Sequence, residues 1–212
     1  MATPYYQDDY VTLYHGDALE ITDWLEADVL VTDPPYGMDY VSRYSGDSVA
    51  GDLDTSARDS ALKIWGGKPA MVFGSWRNEK PKCDQVIIWD KGPEASLGHP
   101  VFFSAYEEIY LIGTGWRGPR RPNVIRVDGM SRGGKERKAY GHPTPKPSSL
   151  LEILINHSPD GVIADPFAGS GSTLVAARNL GRKAIGVELE EKYCEIIASR
   201  LSQGAFDFEV TS

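Results

Sequence analysis

The chain has 212 residues, 41% of them hydrophobic and 25% charged, which fits one domain with a single sizeable core and excludes a wholly disordered polymer. Its formal net charge is -8, yet the stretch between Gly115 and Lys146 carries +7 and leaves -15 on the remainder, so an anionic polymer is not excluded as a partner. The start, Met1-Ala2-Thr3-Pro4, has neither a basic leader nor an apolar segment, and Cys83 and Cys194 lie outside any metal-ligand spacing. The expectation is a cytoplasmic protein without membrane contact, zinc or disulfide.

In chain order, the first predicted strand runs from Tyr10 to Tyr14 and ends at His15-Gly16-Asp17. The second, Val29 to Thr32, is an unbroken β-favouring run, and the two prolines after Asp33 lack N–H donors and stop it. A residue before proline is held extended, so the Asp33 carboxylate and the free carbonyls of Asp33-Pro34-Pro35 can converge on one point. Two acceptors converging in this way make a receptor for an NH₂ group. Tyr36 adds a flat face on which a planar heterocycle can stack.

Residues 38–60 are rich in Ser, Gly and Asp with little periodicity and read as a long mobile loop. Strands follow at Ala70 to Phe73, Val86 to Trp89 and Ile109 to Ile112. The next segment, about 113–141, is irregular and basic and is the candidate for a small inserted recognition element. Helical spacing marks Ser148 to Ile155, Ser172 to Leu180 and Lys192 to Leu201, with strands between them at Val162 to Ala164 and Ala184 to Val187. This alternation predicts an α/β domain spanning 1–212, with about seven mainly parallel strands and helices on both faces. Ligands of such sheets sit outside the carboxyl ends of the strands, where Asp17, Asp33, Asp165 and Glu188 all fall.

The segment Asp165-Pro166-Phe167-Ala168-Gly169-Ser170-Gly171 is a turn between a strand and a helix, and its glycines let a ligand approach the backbone. Glu188, at the next strand end, can accept hydrogen bonds from both hydroxyls of a ribose. The Gly-Lys-Ser/Thr ending of a phosphate-binding loop is absent, which weakens a nucleotide-triphosphatase reading. A nicotinamide-binding fold and a purely structural turn both remain open at this point.

Together, Asp33-Pro34-Pro35-Tyr36 and Asp165-Pro166-Phe167-Ala168-Gly169-Ser170-Gly171 resemble the two signature segments of the DNA amino-methyltransferases that use S-adenosylmethionine. Their order along the chain is similar to that of the permuted β group of that family. The resemblance implies a Rossmann-like methyltransferase fold and extends from Asp17 to Leu201. It assigns catalysis to Asp33, Pro34, Pro35 and Tyr36. It places Asp17 near the adenine of the cofactor and Glu188 on its ribose, with Asp165, Pro166, Phe167, Ala168, Gly169 and Gly171 forming the glycine turn. His142-Pro143-Thr144-Pro145-Lys146-Pro147 is similar to the segment near the methionine end, which assigns Thr144 and Lys146 to the cofactor as well.

An exocyclic amino nitrogen is a poor nucleophile because its lone pair is delocalised into the ring. Acceptors on both hydrogens localise that pair and aim it at a methyl donor. The expected substrate is double-stranded DNA with its target base flipped out. Phosphates are expected to meet Arg117, Arg120, Arg121, Arg126, Arg132, Lys135, Arg137 and Lys138, with Arg120 and Arg121 foremost. One short basic segment grips little of a duplex, so a homodimer is expected. Resemblance favours adenine N6 because Asp rather than Ser opens the tetrapeptide. Cytosine N4, a non-catalytic DNA-binding protein and a nicotinamide oxidoreductase are the alternatives.

Overall fold

The structure is a computed structural model that describes residues 2–35, 54–92, 104–128 and 145–209, with side chains described as far as 203. Among the described residues nine strands form one sheet. In chain order they are β1 (Tyr6–Gln7), β2 (Val11–His15), β3 (Val29–Thr32), β4 (Ala70–Gly74), β5 (Gln85–Asp90), β6 (Tyr106–Ile112), β7 (Val124–Arg126), β8 (Ile163–Asp165) and β9 (Ala184–Glu188). Among the described residues the helices beside them are α1 (Ser56–Trp65), α2 (Ser148–Asn156), α3 (Ser172–Asn179) and α4 (Glu191–Glu209).

The spatial order is β1-β2-β9-β8-β3-β4-β6-β5-β7. Pairing is parallel from β2 through β9, β8 and β3 to β4, and again between β5 and β7. It is antiparallel between β1 and β2 and on both sides of β6. The seven strands expected from sequence are all present, and two were missed. β1 has only two residues, and β7 lies inside the basic stretch, where proline and arginine mask its Val-Ile-Arg core. The expected loop over 38–60 needs a correction at its end, because α1 begins at Ser56. The small stripe Ala57, Ala61 and Trp65 carries the helical period there, but the polar residues between obscure it.

Residue alternation splits the core between the two faces of the sheet. Val29, Val31, Met71 and Phe73 point to one side, where Leu150 and Leu154 of α2, Leu174 of α3 and Ile197 of α4 cover them. Leu30, Ala70 and Val72 point to the other, beneath Trp65 of α1 and Trp24 of the short 3₁₀ turn Asp23–Glu26. A strand buried on both faces has no polar face to show, which is why β3 reads as a continuous apolar run.

The Trp24 and Trp65 rings stack with centroids 5.7 Å apart, and the Trp24 indole N–H donates to the Ala18 carbonyl at 2.9 Å. Trp24 has no solvent exposure. Replacing it with Ala removes a large side chain and orphans that carbonyl. The expected loss is about 3–5 kcal/mol of unfolding free energy, measured by equilibrium urea denaturation.

Candidate active site

β3 delivers Asp33 to the edge where the parallel strands end, and β8 next to it delivers Asp165 to the same edge. The two ends are tied directly, since the Thr32 hydroxyl donates to Asp165 Oδ1 at 2.7 Å. Pro34, the first residue of the proline turn, is buried. Asp33 keeps a quarter of its side chain exposed, and its two oxygens have different surroundings. Oδ2 lies 2.5 Å from the Lys146 ammonium. Oδ1 is closed to water and has no hydrogen-bond partner among the described residues.

Lys146 stands just before α2 and is 7% exposed, with its ammonium 5.1 Å from the centre of the Phe73 ring. It also lies 3.3 Å from Glu107 Oε2, and the other oxygen of Glu107 accepts from Lys91 at 3.0 Å. Charges therefore alternate through Asp33, Lys146, Glu107 and Lys91. Burial pushes the Asp33 carboxyl up to about 6, with Lys146 opposing the rise and Glu107 and Asp165 adding to it. Burial likewise works against the charge on Glu107, but Lys146 and Lys91 outweigh it and hold that acid below its ordinary value.

The glycine turn leaves β8 with Gly169 and Gly171 at φ values of 53° and 78°, a left-handed backbone that favours glycine. A Cβ on Gly171 would lie 2.7 Å from Ile197 Cγ1. Glu188, 8% exposed at the end of β9, locks this turn. Its Oε2 accepts from the Gly169 N–H at 2.7 Å and its Oε1 from the Glu190 N–H at 2.8 Å. Burial still raises the Glu188 carboxyl to about 7, the backbone donors opposing. The Gly16 N–H donates to the Glu188 carbonyl at 2.9 Å, which brings Asp17 beside this strand end. Asp17 is exposed, and its Oδ1 caps the Leu19 N–H at 2.8 Å. The Ala168 N–H donates to the Val187 carbonyl at 3.0 Å, Pro166 is buried, and Phe167 packs partly into the core.

Asp33, Asp165, Gly169, Gly171, Glu188 and Asp17 thus share one edge. Lys146, expected near the cofactor, has its ammonium against Asp33. Tyr36 and Thr144 lie outside the described residues, as do Arg132, Lys135, Arg137 and Lys138. Arg126 ends β7 opposite Asp90, on the Asp33 edge, with ion pairs to Asp90 at 3.5 Å and Asp128 at 3.7 Å. Arg117, Arg120 and Arg121 do not join it. They follow the far end of β6, where the Arg117 N–H donates to the His157 carbonyl and its guanidinium pairs with Asp160. Arg120 and Arg121 line a cavity of about 310 Å³ with Met71, Leu111 and Ile153 on that side.

Glu107 and Lys91 escaped the sequence reading. The Glu107-Glu108 doublet opening an otherwise apolar strand was the available signal, because carboxylates inside a sheet require partners. Trp76, 54% exposed, and Arg77, whose guanidinium lies 5.3 Å from the Trp76 ring centre, follow the end of β4 and were also missed.

A proline turn and a glycine turn thus leave neighbouring strands at one edge of a doubly wound sheet. A family model described as DNA methylase, of the N6/N4 class, matches residues 63–199. The type II methyltransferase M2.DpnII of Streptococcus pneumoniae is 47% identical, over 95% of this chain and 93% of that protein. M.HinfI of Haemophilus influenzae is 42% identical, over 91% of this chain and 68% of its own length. Among solved structures, the M1.HpyAVI–SAM complex superposes with a TM-score of 0.61 at 22% identity, covering 90% of this chain and 99% of that one. The cytosine-N4-specific PvuII DNA methyltransferase reaches 0.67 at 20% identity, covering 92% and 87%. The chain belongs to the N6/N4 DNA methylase family, whose methyl donor is S-adenosylmethionine.

The residues present fit that cofactor. Glu188 is a buried carboxylate whose oxygens each accept one backbone N–H and keep lone pairs for the hydroxyls of a ribose, at the edge where the glycine turn also lies. A raised carboxyl favours the folded state at low pH. The Glu188 contribution is therefore complete below its ordinary value of 4.5 and lost as pH rises through about 7. Glu188→Gln is expected to flatten the fall in melting temperature between those limits, read by scanning calorimetry without cofactor.

Proposed function

We propose that this enzyme methylates the exocyclic N6 of adenine in double-stranded DNA. The observation that carries the reading is Asp33 Oδ1, a buried acceptor without a partner among the described residues, on a strand end tied to that of the glycine turn through Thr32 and Asp165. An unpaired buried acceptor is costly unless a donor arrives, and an amino hydrogen is such a donor.

In this mechanism Asp33 Oδ1 accepts one amino hydrogen and the Pro34 carbonyl accepts the other. The nitrogen becomes pyramidal and its lone pair turns toward the neighbouring turn. The glycine turn, Glu188 and the segment at Asp17 would hold S-adenosylmethionine, which when bound would supply a methyl group on positively charged sulfur. Asp33 orients the amine and remains an acceptor while the nitrogen gains charge. The extra proton leaves afterwards. Tyr36, next in sequence after the turn, is proposed to stack on the flipped base, and unstacking costs a few kcal/mol that phosphate contacts offset. For those contacts we favour Arg126 together with Trp76 and Arg77, because they lie on the Asp33 edge. Asp rather than Ser at the head of the tetrapeptide supports adenine over cytosine N4.

Incubation with labelled methyl donor and unmodified DNA, followed by nucleoside mass spectrometry, is expected to yield N6-methyladenine. N4-methylcytosine as the product would overturn the base assignment. Asp33→Ala is expected to keep DNA affinity and lower single-turnover methylation by about 10²–10³-fold, the range for removing one aimed hydrogen-bonding group. DNA affinity is expected to fall linearly with salt on a log-log scale, with a shallower slope in an Arg77→Ala, Arg126→Ala double variant. An Arg120→Ala, Arg121→Ala pair should leave that slope unchanged.

A further inference from the structure

Asp33 stands at a strand end, where an unsupported side chain would rotate about its χ angles and present either oxygen. Its neighbours prevent this. The groups facing it are Lys146 from the segment before α2, Glu107 from β6, Asp165 from β8, bonded to Thr32 of its own strand, and the Phe73 ring of β4 beneath the Lys146 ammonium. Three of these neighbours carry charge in the ionised state, and two of the three are negative. Without a cation in contact, Asp33 would be the third acid of a buried cluster and would take up a proton rather than accept one from an amine.

We propose that Lys146 is a positioning residue for Asp33, and that Glu107, braced by Lys91, holds Lys146 in that place. The ammonium occupies Oδ2 at 2.5 Å, which leaves Oδ1 as the oxygen presented to the substrate amine. Glu107 contacts Lys146 at 3.3 Å and is held on its far side by Lys91 at 3.0 Å, so the ammonium is gripped between two carboxylates. Side chains at these distances lose rotamer freedom once, during folding, and not again on each turnover. The array also counters charge on charge, keeping Asp33 an acceptor where burial alone would neutralise it.

This inference rests on Asp33 being the amine acceptor and adds the means by which it is held. The neighbours act with opposite sign, and that gives a test a structural role cannot mimic. Lys146→Met removes the opposite charge, so the Asp33 carboxyl should titrate about 1–3 pH units higher, the usual span for losing a contacting cation. Glu107→Gln keeps an oxygen for Lys146 but removes a like charge, so Asp33 should titrate lower than in the parent protein. Lys146→Arg should restore parental behaviour in large part.

The measurement is NMR titration of the protein carrying ¹³C-labelled aspartate carboxyls, without DNA or cofactor, with Asp33→Asn identifying the resonance. In single-turnover assays the acid limb of methylation should move the same way. Lys146→Met should be slowed by about 10²-fold near neutral pH, in line with a misplaced reacting group, and recover as pH rises. KM for DNA and affinity for S-adenosylhomocysteine should stay as in the parent. An Asp33 resonance that titrates alike in all three variants, or moves in the same direction in Lys146→Met and Glu107→Gln, overturns the proposal. So does loss of S-adenosylhomocysteine binding in Lys146→Met with the titration unmoved, which would make Lys146 a cofactor ligand. Full methylation by Asp33→Ala would instead remove the underlying assignment of Asp33.

Discussion

The hydrogen bond from Thr32 to Asp165 joins the last residues of two adjacent parallel strands, and the arrangement of the site depends on it. Each strand ends in a turn with its own chemistry, proline-rich after β3 and glycine-rich after β8. Their spacing is set by the ladder between the strands, reinforced by this buried contact at 2.7 Å. Methyl transfer needs the amine and the donor within a few tenths of an ångström of a fixed geometry. A pair of neighbouring strands in a sheet buried on both faces is among the stiffest scaffolds a chain can build, since any slip would move apolar side chains out of two cores at once.

Much of this was legible in the sequence because the relevant residues interrupt strong local patterns. Asp33 follows four buried residues and precedes two prolines, so both the strand and its end announce themselves. Gly169 and Gly171 lie between a strand and a helix of clear periodicity, and their positive φ angles explain why glycine is required there. Parallel order followed from strand and helix alternation. The antiparallel placement of β6 did not, since nothing in a single apolar run tells which neighbour it will pair with or in which direction.

The partners of Asp33 were the least visible part of the site. Glu107 and Lys91 are separated by long stretches of chain from Asp33, and each looks in isolation like an ordinary surface charge, while the motif around Lys146 pointed to the cofactor and not to Asp33. What makes them a unit is burial, which only the folded sheet supplies. The basic stretch is divided by the fold in a way the sequence does not announce. Its composition is uniform along the chain, but the fold sends Arg117, Arg120 and Arg121 to one end of the sheet and Arg126 to the other.

β6 runs against its neighbours β4 and β5, so it brings its first residues, not its last, to the edge that holds Asp33. In a wholly parallel sheet that rim is furnished from strand exits, and strand entrances are banished to the remote side. Reversal of a single strand lets Glu107 reach the rim from a position paired with Trp89 of β5, one residue before the pairing with β4 begins at Glu108. The length of the connection entering that strand is thereby uncoupled from where the carboxylate stands, leaving the preceding segment free to diverge in evolution while the charge array keeps its register.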